Sequence, residues 1–267
     1  MPEVVEMPDE ILSTRKMTLG YGANTVIRDL DCAIPAGAFT ALIGPNGCGK
    51  STLLRALAGM LRPRSGQVLL AGRSVTAYPL KDLAKRIGIL AQGAVAPDGL
   101  TVIDLVRQGR YPHRTLFGRW SAGDETASEA ALGLTGMSEH RDSRVDRLSG
   151  GQRQRAWIAM TLAQETEILL LDEPTTYLDL AHQIEVMDLM RRLVLERGKT
   201  VVAVLHDLNQ ASRYADRVIM MANGRIYAEG SPAEIVTAPN IEQVFNVRSR
   251  IVPDPETGTP MCVPASV

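Results

Sequence analysis

Cysteine, aromatic residues and long apolar runs are all scarce in this sequence of 267 residues. The three cysteines, Cys32, Cys48 and Cys262, have no framework spacing, which favours a reducing compartment over a disulfide-stapled secreted fold. The apolar runs are strand-sized and too short to span a membrane. The N-terminal segment, MPEVVEMPDE, lacks the basic start and apolar core of a signal peptide. We therefore expect a chain that is soluble by itself.

A strong charge of either sign is also lacking, because 29 basic residues stand against 30 acidic ones for a formal net charge of −1. A dedicated nucleic-acid-binding protein carries a basic face, so we expect no nucleic-acid partner. The hydrophobic fraction of 45% is ordinary for a globular protein. The length allows one large α/β domain, or a core domain with a smaller insertion.

Short runs rich in β-branched residues and leucine each end just before chemically unusual residues. The four runs are Phe39–Ile43 before a glycine-rich loop, Arg86–Leu90 before Gln92, Ile168–Leu171 before Asp172 and Glu173, and Thr200–Leu205 before His206. Continuous apolar runs separated by helical stretches are typical of parallel strands buried on both faces of a sheet. In open α/β sheets, ligands bind at the carboxyl ends of the strands. The sequence therefore predicts an α/β fold with one polar site at that edge.

Two additions to this core are predicted by the segments around it. Alternating patterns with glycine-containing turns at about residues 11–43 predict an antiparallel β layer. Helix starts at Thr101, with Asp104, and at Ser121, with Asp124, replace the strand signals between residues 94 and 148. We therefore expect a single domain over residues 1–267, with an inserted helical subdomain at residues 94–160.

The C-terminal part of the sequence contains a hairpin signal and then a proline-rich tail. Asn223-Gly224 between two apolar runs predicts a tight β turn, because both positions tolerate positive φ. A capping box with proline at the first helical position predicts a short helix at residues 231–234. We expect a C-terminal tail at residues 247–267 that is irregular from about residue 252.

The most specific motif is Gly44-Pro-Asn-Gly-Cys-Gly-Lys-Ser-Thr52, which follows a predicted strand and precedes a predicted helix at Thr52–Met60. This is the spacing of a phosphate-binding P-loop. The glycines let successive backbone N–H groups face the phosphate oxygens, at the positive end of the following helix. The residues we assign to nucleotide binding here are Gly44, Asn46, Gly47, Cys48, Gly49, Lys50, Ser51 and Thr52. The alternative is a glycine-rich turn with a surface lysine.

A second motif, Leu148-Ser149-Gly150-Gly151-Gln152, opens a helix with a capping box. Two glycines in a first turn cost about 1 kcal/mol each relative to alanine. A helix start tolerates that cost more readily if a ligand must approach its backbone, and a phosphate is the obvious candidate. One triphosphate is already assigned to the Gly44–Thr52 loop. The second phosphate site therefore predicts either another ligand or another chain's nucleotide.

A P-loop, then Leu-Ser-Gly-Gly-Gln, then an apolar strand ending in Asp172-Glu173-Pro174, resembles the ABC-type ATPases from about residue 12 to residue 247. The resemblance implies that ATP and Mg²⁺ bind, and that two copies face each other head to tail. Each nucleotide then lies between one chain's P-loop and the other chain's signature helix, formed here by Ser149, Gly150, Gly151 and Gln152.

The same resemblance assigns roles to the polar residues that follow the strands. Asp172, with Ser51 and Gln92, is implied to hold Mg²⁺, and Glu173 resembles the base that polarises the attacking water. His206 is implied to contact the γ-phosphate, and Lys50 the β- and γ-phosphates. Taken alone, the Asp172-Glu173 pair could equally be a helix cap, and His206 could be structural.

Two further residues are assigned to the nucleotide or to the contact between subunits. Asp179 corresponds to the aspartate at the subunit contact, although the family more often has Ser-Ala where this chain has Thr176-Tyr177. Tyr21, upstream of the P-loop, resembles the aromatic residue that stacks on adenine. The alternative for Tyr21 is a tyrosine buried in the antiparallel layer.

Finer motifs resemble one branch of the family. Segments 109–113, 175–183 and 206–211 resemble the ATPases of bacterial iron–siderophore importers, with haem and cobalamin importers as close relatives. This implies a ferric siderophore or related iron chelate as cargo, an integral membrane permease as partner, and indirectly a substrate-binding protein. It also implies a place on the cytoplasmic face of the inner membrane. A non-transport ABC ATPase or an efflux subunit remains an alternative.

Two expectations concern single side chains. Cys48 is expected to be a reactive thiolate, because Lys50 and a helix N-terminus lie nearby, with an inert buried thiol as the alternative. Arg107 and Arg110 are expected on a permease-docking surface around residues 93–113, because the Gln92 loop links that region to the nucleotide.

Overall fold

The computed structural model describes residues 10–94, 96–114 and 119–265. Its strands are β1 (Glu10–Tyr21), β2 (Asn24–Pro35), β3 (Phe39–Ile43), β4 (Ser65–Leu70), β5 (Arg73–Ser74), β6 (Ile87–Leu90), β7 (Ile168–Asp172), β8 (Thr200–Val204), β9 (Arg217–Ala222), β10 (Arg225–Gly230), β11 (Ser249–Pro253) and β12 (Pro260–Pro264). Its α-helices are α1 (Lys50–Leu57), α2 (Leu80–Ala84), α3 (Val102–Gln108), α4 (Ala122–Leu134), α5 (Gly150–Ala163), α6 (Leu180–Arg197), α7 (Leu208–Tyr214), α8 (Pro232–Ile235) and α9 (Ala238–Phe245). Single 3₁₀ turns lie at residues 75–77, 111–113, 138–140 and 145–147.

The core sheet has six strands in the order β10-β9-β3-β8-β7-β6. All neighbouring pairs from β9 to β6 are parallel, and only β10 runs antiparallel, to β9. Every residue of β3, β7 and β8 is buried, because helices or the second sheet cover both faces. The four strands expected from apolar runs are therefore confirmed to within a residue, and their carboxyl ends share one edge.

The second sheet is antiparallel, in the order β2-β1-β4-β5. Helix α1 packs with both sheets, since Leu53, Leu54 and Leu57 share one apolar cluster with Leu19 of β1 and Val202 of β8. The expected antiparallel layer is confirmed for β1 and β2, and it recruits β4 and β5 from beyond the P-loop. This packing fixes the P-loop between the two sheets.

Helices α3, α4 and α5 pack together around a separate apolar cluster that includes Val102, Leu105, Leu132 and Ala159. The predicted helix starts are confirmed, because Thr101 and Asp104 form a capping box, as do Ser121 and Asp124. The end of α5 at Ala163 lies three residues past the limit expected for the subdomain.

The C-terminal tail is not irregular, and that expectation is wrong. Strands β11 and β12 form an antiparallel hairpin in which Pro253 pairs with Pro260. The prolines stand at strand ends, where a missing N–H does not disrupt the ladder. Asp254 Oδ1 accepts backbone N–H bonds from Glu256 and Thr257 and so closes the turn.

Within the described ranges, no helix is long and apolar enough to cross a membrane.

Candidate functional site

The P-loop follows β3 and is shaped by glycines with positive φ. Gly44 has φ 147, and a Cβ there would lie 2.2 Å from the Met221 carbonyl oxygen, so no larger residue fits. Gly49 has φ 110 and caps α1, which begins at Lys50, two residues before the predicted start. The N-terminus of α1 is therefore aimed into the loop, as an anion site requires.

Lys50 is buried, and its ammonium group fills the loop in this structure. Nζ donates to the carbonyl oxygens of Gly44, at 2.7 Å, and Pro45, at 3.0 Å. These contacts hold a cation among inward-facing backbone groups, at the position where a phosphate would compete for it. The surface-lysine alternative is therefore wrong.

Four loops that are distant in sequence enclose one cavity of about 520 Å³ at the carboxyl edge of the core sheet. Its lining residues are Val26, Asn46, Gly47, Gly49, Lys50, Ser51, Thr52, Gln92, Glu173 and His206. All but Val26 were expected from the sequence. Val26 lies on β2 of the antiparallel sheet, and an ordinary strand valine carries no sequence signal of such a role.

Ser51 and Asp172 meet at the floor of this site. Ser51 Oγ donates to Asp172 Oδ1 at 2.8 Å. The other carboxylate oxygen, Asp172 Oδ2, is buried with no hydrogen-bond partner in the described structure. Burial raises the pKa of Asp172, the Ser51 hydrogen bond opposes that rise, and the charge of Glu173 adds to it. A buried carboxylate with an unused oxygen beside a hydroxyl fits an oxygen-preferring cation such as Mg²⁺.

Glu173 and His206 form a close pair at the cavity wall. His206 Nε2 lies 2.7 Å from Glu173 Oε1, and Thr176 Oγ1 donates to Glu173 Oε2 at 3.1 Å. The Glu173 side chain is 13% exposed and the His206 side chain 45% exposed. Glu173 also has φ 55, a conformation that costs energy for a residue other than glycine. The backbone thus turns the Glu173 carboxylate towards His206, and the side chains of His206 and Thr176 hold its two oxygens.

The signature residues lie outside this cavity. Ser149 and Gln152 form the expected capping box, with Gln152 N–H donating to Ser149 Oγ at 3.2 Å and Ser149 N–H donating to Gln152 Oε1 at 3.0 Å. A Cβ on Gly150 would lie 3.5 Å from Tyr177 Cβ. The helix start is therefore bare of side chains next to the segment that follows Glu173, and it does not reach the P-loop of its own chain.

Asp179 and Tyr21 also lie outside the lining of the cavity. Asp179 caps α6 and accepts from His182 N–H at 3.0 Å, and its Oδ1 lies 2.7 Å from His182 Nδ1. Tyr21 is 45% exposed at the end of β1, and its hydroxyl oxygen accepts from Arg55 Nη1 at 3.5 Å. The alternative of a tyrosine buried in the antiparallel layer is therefore wrong. The Tyr21 ring is accessible to a ligand.

Gln154 makes a contact with the loop after β7 that the sequence did not indicate. Its Nε2 donates to the Pro174 carbonyl oxygen at 3.2 Å, so the signature helix is tied to the residue after Glu173. A helical glutamine gives no sign of such a contact until the fold places α5 beside that loop.

Two side-chain expectations are wrong. Cys48 is 5% exposed, and burial raises the pKa of its thiol more than Lys50 lowers it, so the thiol is not activated. Arg110 is buried beneath the helical subdomain, where it contacts Asp124, Glu165 and the Ala163 carbonyl oxygen. It cannot form part of a docking surface.

The fold and the cavity define a P-loop nucleotide-binding protein in which a second glycine-rich helix start, at Ser149, lies outside the lining of the cavity. Comparison with known proteins agrees. The sequence profile of the family described as ABC transporter matches residues 27–176. The ferric enterobactin transport ATP-binding protein FepC of Escherichia coli (strain K12) is 54% identical over 253 residues, which cover 95% of this chain and 93% of that protein.

Two solved structures extend the agreement. A metal-chelate type ABC transporter in an inward-facing conformation superimposes with a TM-score of 0.83 at 30% identity, over 97% of this chain and 98% of that one. The dimeric ATP-binding cassette MJ0796, in a post-hydrolysis state bound to ADP and Pi, gives a TM-score of 0.74 at 28% identity, over 82% of this chain and 98% of that one. This chain belongs to the ABC transporter family, and it is an ATP-binding ATPase subunit of that family.

Proposed function

We propose that this chain is the ATP-hydrolysing subunit of an ABC importer that powers uptake of a ferric siderophore or a related iron chelate. Two copies act together on an integral membrane permease, at the cytoplasmic face of the inner membrane, and a substrate-binding protein delivers the cargo to that permease. The observation that carries the ATPase part is a single cavity that gathers Lys50, Ser51, Gln92, Glu173 and His206 from four strand ends.

Nucleotide binding begins with the P-loop. Backbone N–H groups of the P-loop and the N-terminus of α1 would attract the phosphates. The Lys50 ammonium exchanges its bonds to Gly44 and Pro45 for phosphate oxygens, and a buried cation makes the stronger contact with an anion than with a carbonyl. The exposed ring of Tyr21 offers a surface for adenine beside this loop.

Ser51, Asp172 and Gln92 would hold Mg²⁺, which supplies neutralisation of charge on the phosphates when it is bound. The unpartnered Oδ2 of Asp172 supports this assignment. A nearby cation would also favour the ionised form of a carboxylate whose pKa burial has raised.

Glu173 is the proposed general base. Thr176 holds one of its oxygens while the other faces His206, so the carboxylate is aimed into the cavity where an attacking water would lie. Glu173 takes a proton from that water as the water oxygen bonds to the γ-phosphorus and the bond from that phosphorus to the bridging oxygen breaks, so that ADP leaves with that oxygen. His206 Nε2 breaks its contact with the Glu173 carboxylate and donates instead to the transferred phosphoryl group. This frees Glu173 to accept the proton.

A second copy completes the site. The Ser149 hydroxyl and the first N–H groups of α5 form an anion-binding helix start that lies outside the chain's own cavity. A head-to-tail partner would bring this helix start over the γ-phosphate. The dimeric cassette with bound ADP and Pi supports this arrangement.

The cargo is proposed from kinship. A relative named for ferric enterobactin transport and a neighbour named as a metal-chelate transporter both match nearly the whole chain. The motifs at residues 175–183 and 206–211 point to the same branch.

The test is uptake by the native complex, purified with its permease and reconstituted in vesicles that are loaded with MgATP. We expect ATP-dependent accumulation of at least one ferric siderophore, and none in vesicles that carry Glu173→Gln. Accumulation of haem or cobalamin instead would contradict the cargo assignment. Unimpaired hydrolysis by Glu173→Gln would contradict the assignment of the base.

A further inference from the structure

Two sequence motifs that contribute only in part to the cavity meet outside its lining. Gln210, on α7, donates from Nε2 to Gln183 Oε1, on α6, at 2.9 Å. Gln183 donates from Nε2 to the Leu178 carbonyl oxygen at 3.0 Å. The segments 175–183 and 206–211 are therefore joined by a chain of two amide side chains.

The direction of this chain is fixed by its last member. The Leu178 carbonyl oxygen can only accept, so Gln183 must turn its NH₂ group towards it and its oxygen towards Gln210. Gln210 must then donate, and its own Oε1 is left buried without a hydrogen-bond partner among the described residues. A buried acceptor without a partner is unfavourable. The packing of α6 against α7 therefore enforces the Gln210–Gln183 hydrogen bond, although it leaves the Gln210 Oε1 atom without a partner.

Each end of the link reaches a different nucleotide-facing element. Gln210 lies four residues after His206, and Asp207 between them caps α7 by accepting from the N–H groups of Asn209 and Gln210. At the other end, Leu178 lies against the signature helix, since a Cβ on Gly151 would be 3.2 Å from Leu178 Cδ2. His206 is thus connected to the signature helix start through the N-terminus of α7, the side chains of Gln210 and Gln183, and Leu178.

Helix α7 is held in place by contacts with the C-terminal hairpin. It has only seven residues, a length that is not stable by itself. Asn209 holds it to the C-terminal hairpin, accepting from Cys262 N–H at 2.7 Å and donating to the Cys262 carbonyl oxygen at 3.3 Å. Arg213, one turn later, pairs with Glu256 in the turn of that hairpin. The tail therefore holds α7 at two positions one helical turn apart.

We propose that Gln183 and Gln210 are positioning residues that couple the two composite ATP sites of the dimer. Binding of ATP to a chain's own P-loop shifts His206 and α7, and the Gln210–Gln183–Leu178 link resets the signature helix that the same chain presents to its partner's nucleotide. The inference rests on the proposed two-copy ATPase. Because coupling between sites is reciprocal, occupancy of the partner's site alters binding at the first by the same factor.

The first test uses the intact transporter complex, with Gln183→Leu, Gln210→Leu and the double variant. Gln243→Leu is the matched control, since Gln243 is an exposed helical glutamine far along the chain, on α9. We expect ATPase activity of the wild type to depend on ATP with a Hill coefficient above 1 and at most 2. In both single variants the coefficient should fall to about 1 and kcat should fall about 2- to 30-fold. The KM for ATP should change much less. Loss of folded protein would also lower the apparent kcat at constant KM, but it would leave the Hill coefficient unchanged, so the fall in that coefficient is the distinguishing result.

The double variant should be no worse than the more impaired single variant, because both changes break one link. Additive losses in the double variant, or a Hill coefficient that stays above 1 in both single variants, would overturn the proposal. So would a wild-type complex that hydrolyses ATP with a coefficient of 1. A wild-type complex without ATPase activity would instead sink the proposed function itself.

A second measurement needs only Gln210→Leu, its control Gln243→Leu and the wild type, with no partner chain. Amide hydrogen exchange is followed in the isolated chain, too dilute to dimerise, before and after addition of MgATP. Exchange at residues 175–180 should slow in the wild type and in Gln243→Leu, and should not respond in Gln210→Leu, although its P-loop amides are still protected. An equal response in Gln210→Leu would overturn the link even if Gln183→Leu failed to fold.

Discussion

Replacing Arg110 by methionine should destabilise the protein far more than the same change at Arg107, three residues earlier. The Arg110 side chain is 7% exposed, and its guanidinium donates to Asp124 at 3.0 Å, Glu165 at 2.6 Å and the Ala163 carbonyl oxygen at 2.7 Å. These contacts join the loop after α3 to the start of α4 and the end of α5. The three helices of the subdomain therefore share one buried cation.

The size of the loss follows from what Arg110→Met leaves behind. Removing one partner of a buried ion pair costs about 3–5 kcal/mol, because the other charge stays buried without compensation. Asp124 keeps hydrogen bonds from Ser121 Oγ, at 2.6 Å, and Ser121 N–H, at 3.1 Å, which places the expected loss near the lower limit. Arg107 is 35% exposed and pairs with Glu125 at 2.7 Å, so Arg107→Met should cost about 1 kcal/mol.

Urea unfolding followed by circular dichroism measures the difference. The pH dependence gives an internal check, because hydrogen bonds from Ser121 and the charge of Arg110 hold the pKa of Asp124 below its usual value. A depressed folded pKa adds stability that is present above the unfolded pKa and is lost as the pH falls through the folded value. The gap between wild type and Arg110→Met should therefore narrow below about pH 4. Equal destabilisation by both methionine variants at pH 7 would refute the reasoning.

Three further changes test the site and its supports. Lys50→Ala should weaken nucleotide binding or abolish turnover. Ser149→Arg should stop ATPase activity, while the isolated chain still binds a fluorescent nucleotide. Equal loss of nucleotide binding in both variants would contradict a site shared by two chains. Maleimide should label Cys48 much more slowly than free cysteine in mass-spectrometric time courses, because burial raises the thiol pKa, and labelling as fast as free cysteine would show that the loop opens. Asn209→Ala should lower the free energy of unfolding by about 1–3 kcal/mol, because the Cys262 N–H loses its acceptor. An unchanged urea midpoint would show that this contact does not stabilise α7.

The sequence predicted the core sheet and the P-loop well because both depend on local patterns. The apolar runs of β3, β7 and β8 are continuous, and such runs are buried wherever a parallel sheet forms. The spacing of glycines with Lys50 is set by the phosphate that the loop must surround. Meeting of Ser51 with Asp172, 121 positions apart, followed from the rule that strand ends converge.

The errors concern contacts between segments that are distant in sequence. Nothing local to Arg110 shows that Asp124 and Glu165 will enclose it, and an arginine is exposed by default. Cys48 has the charge neighbours of an activated thiol, and only the packing of Gly44 and α1 makes burial the larger effect. The hairpin of β11 and β12 was hidden by prolines that lie at strand ends, where the pairing tolerates them.

The segment from Glu173 to Asp179 is where the two halves of the proposed site are held in register. Glu173 and Tyr177 both have left-handed backbones, with φ 55 and φ 67. Neither is a residue that adopts this region readily, so each costs about 1 kcal/mol or more. The turn at Glu173 directs its carboxylate to His206, and the turn at Tyr177 lays the chain against Gly150. The strain thus falls at two points of one short loop, at the proposed base Glu173 and beside the helix start that we propose faces a partner.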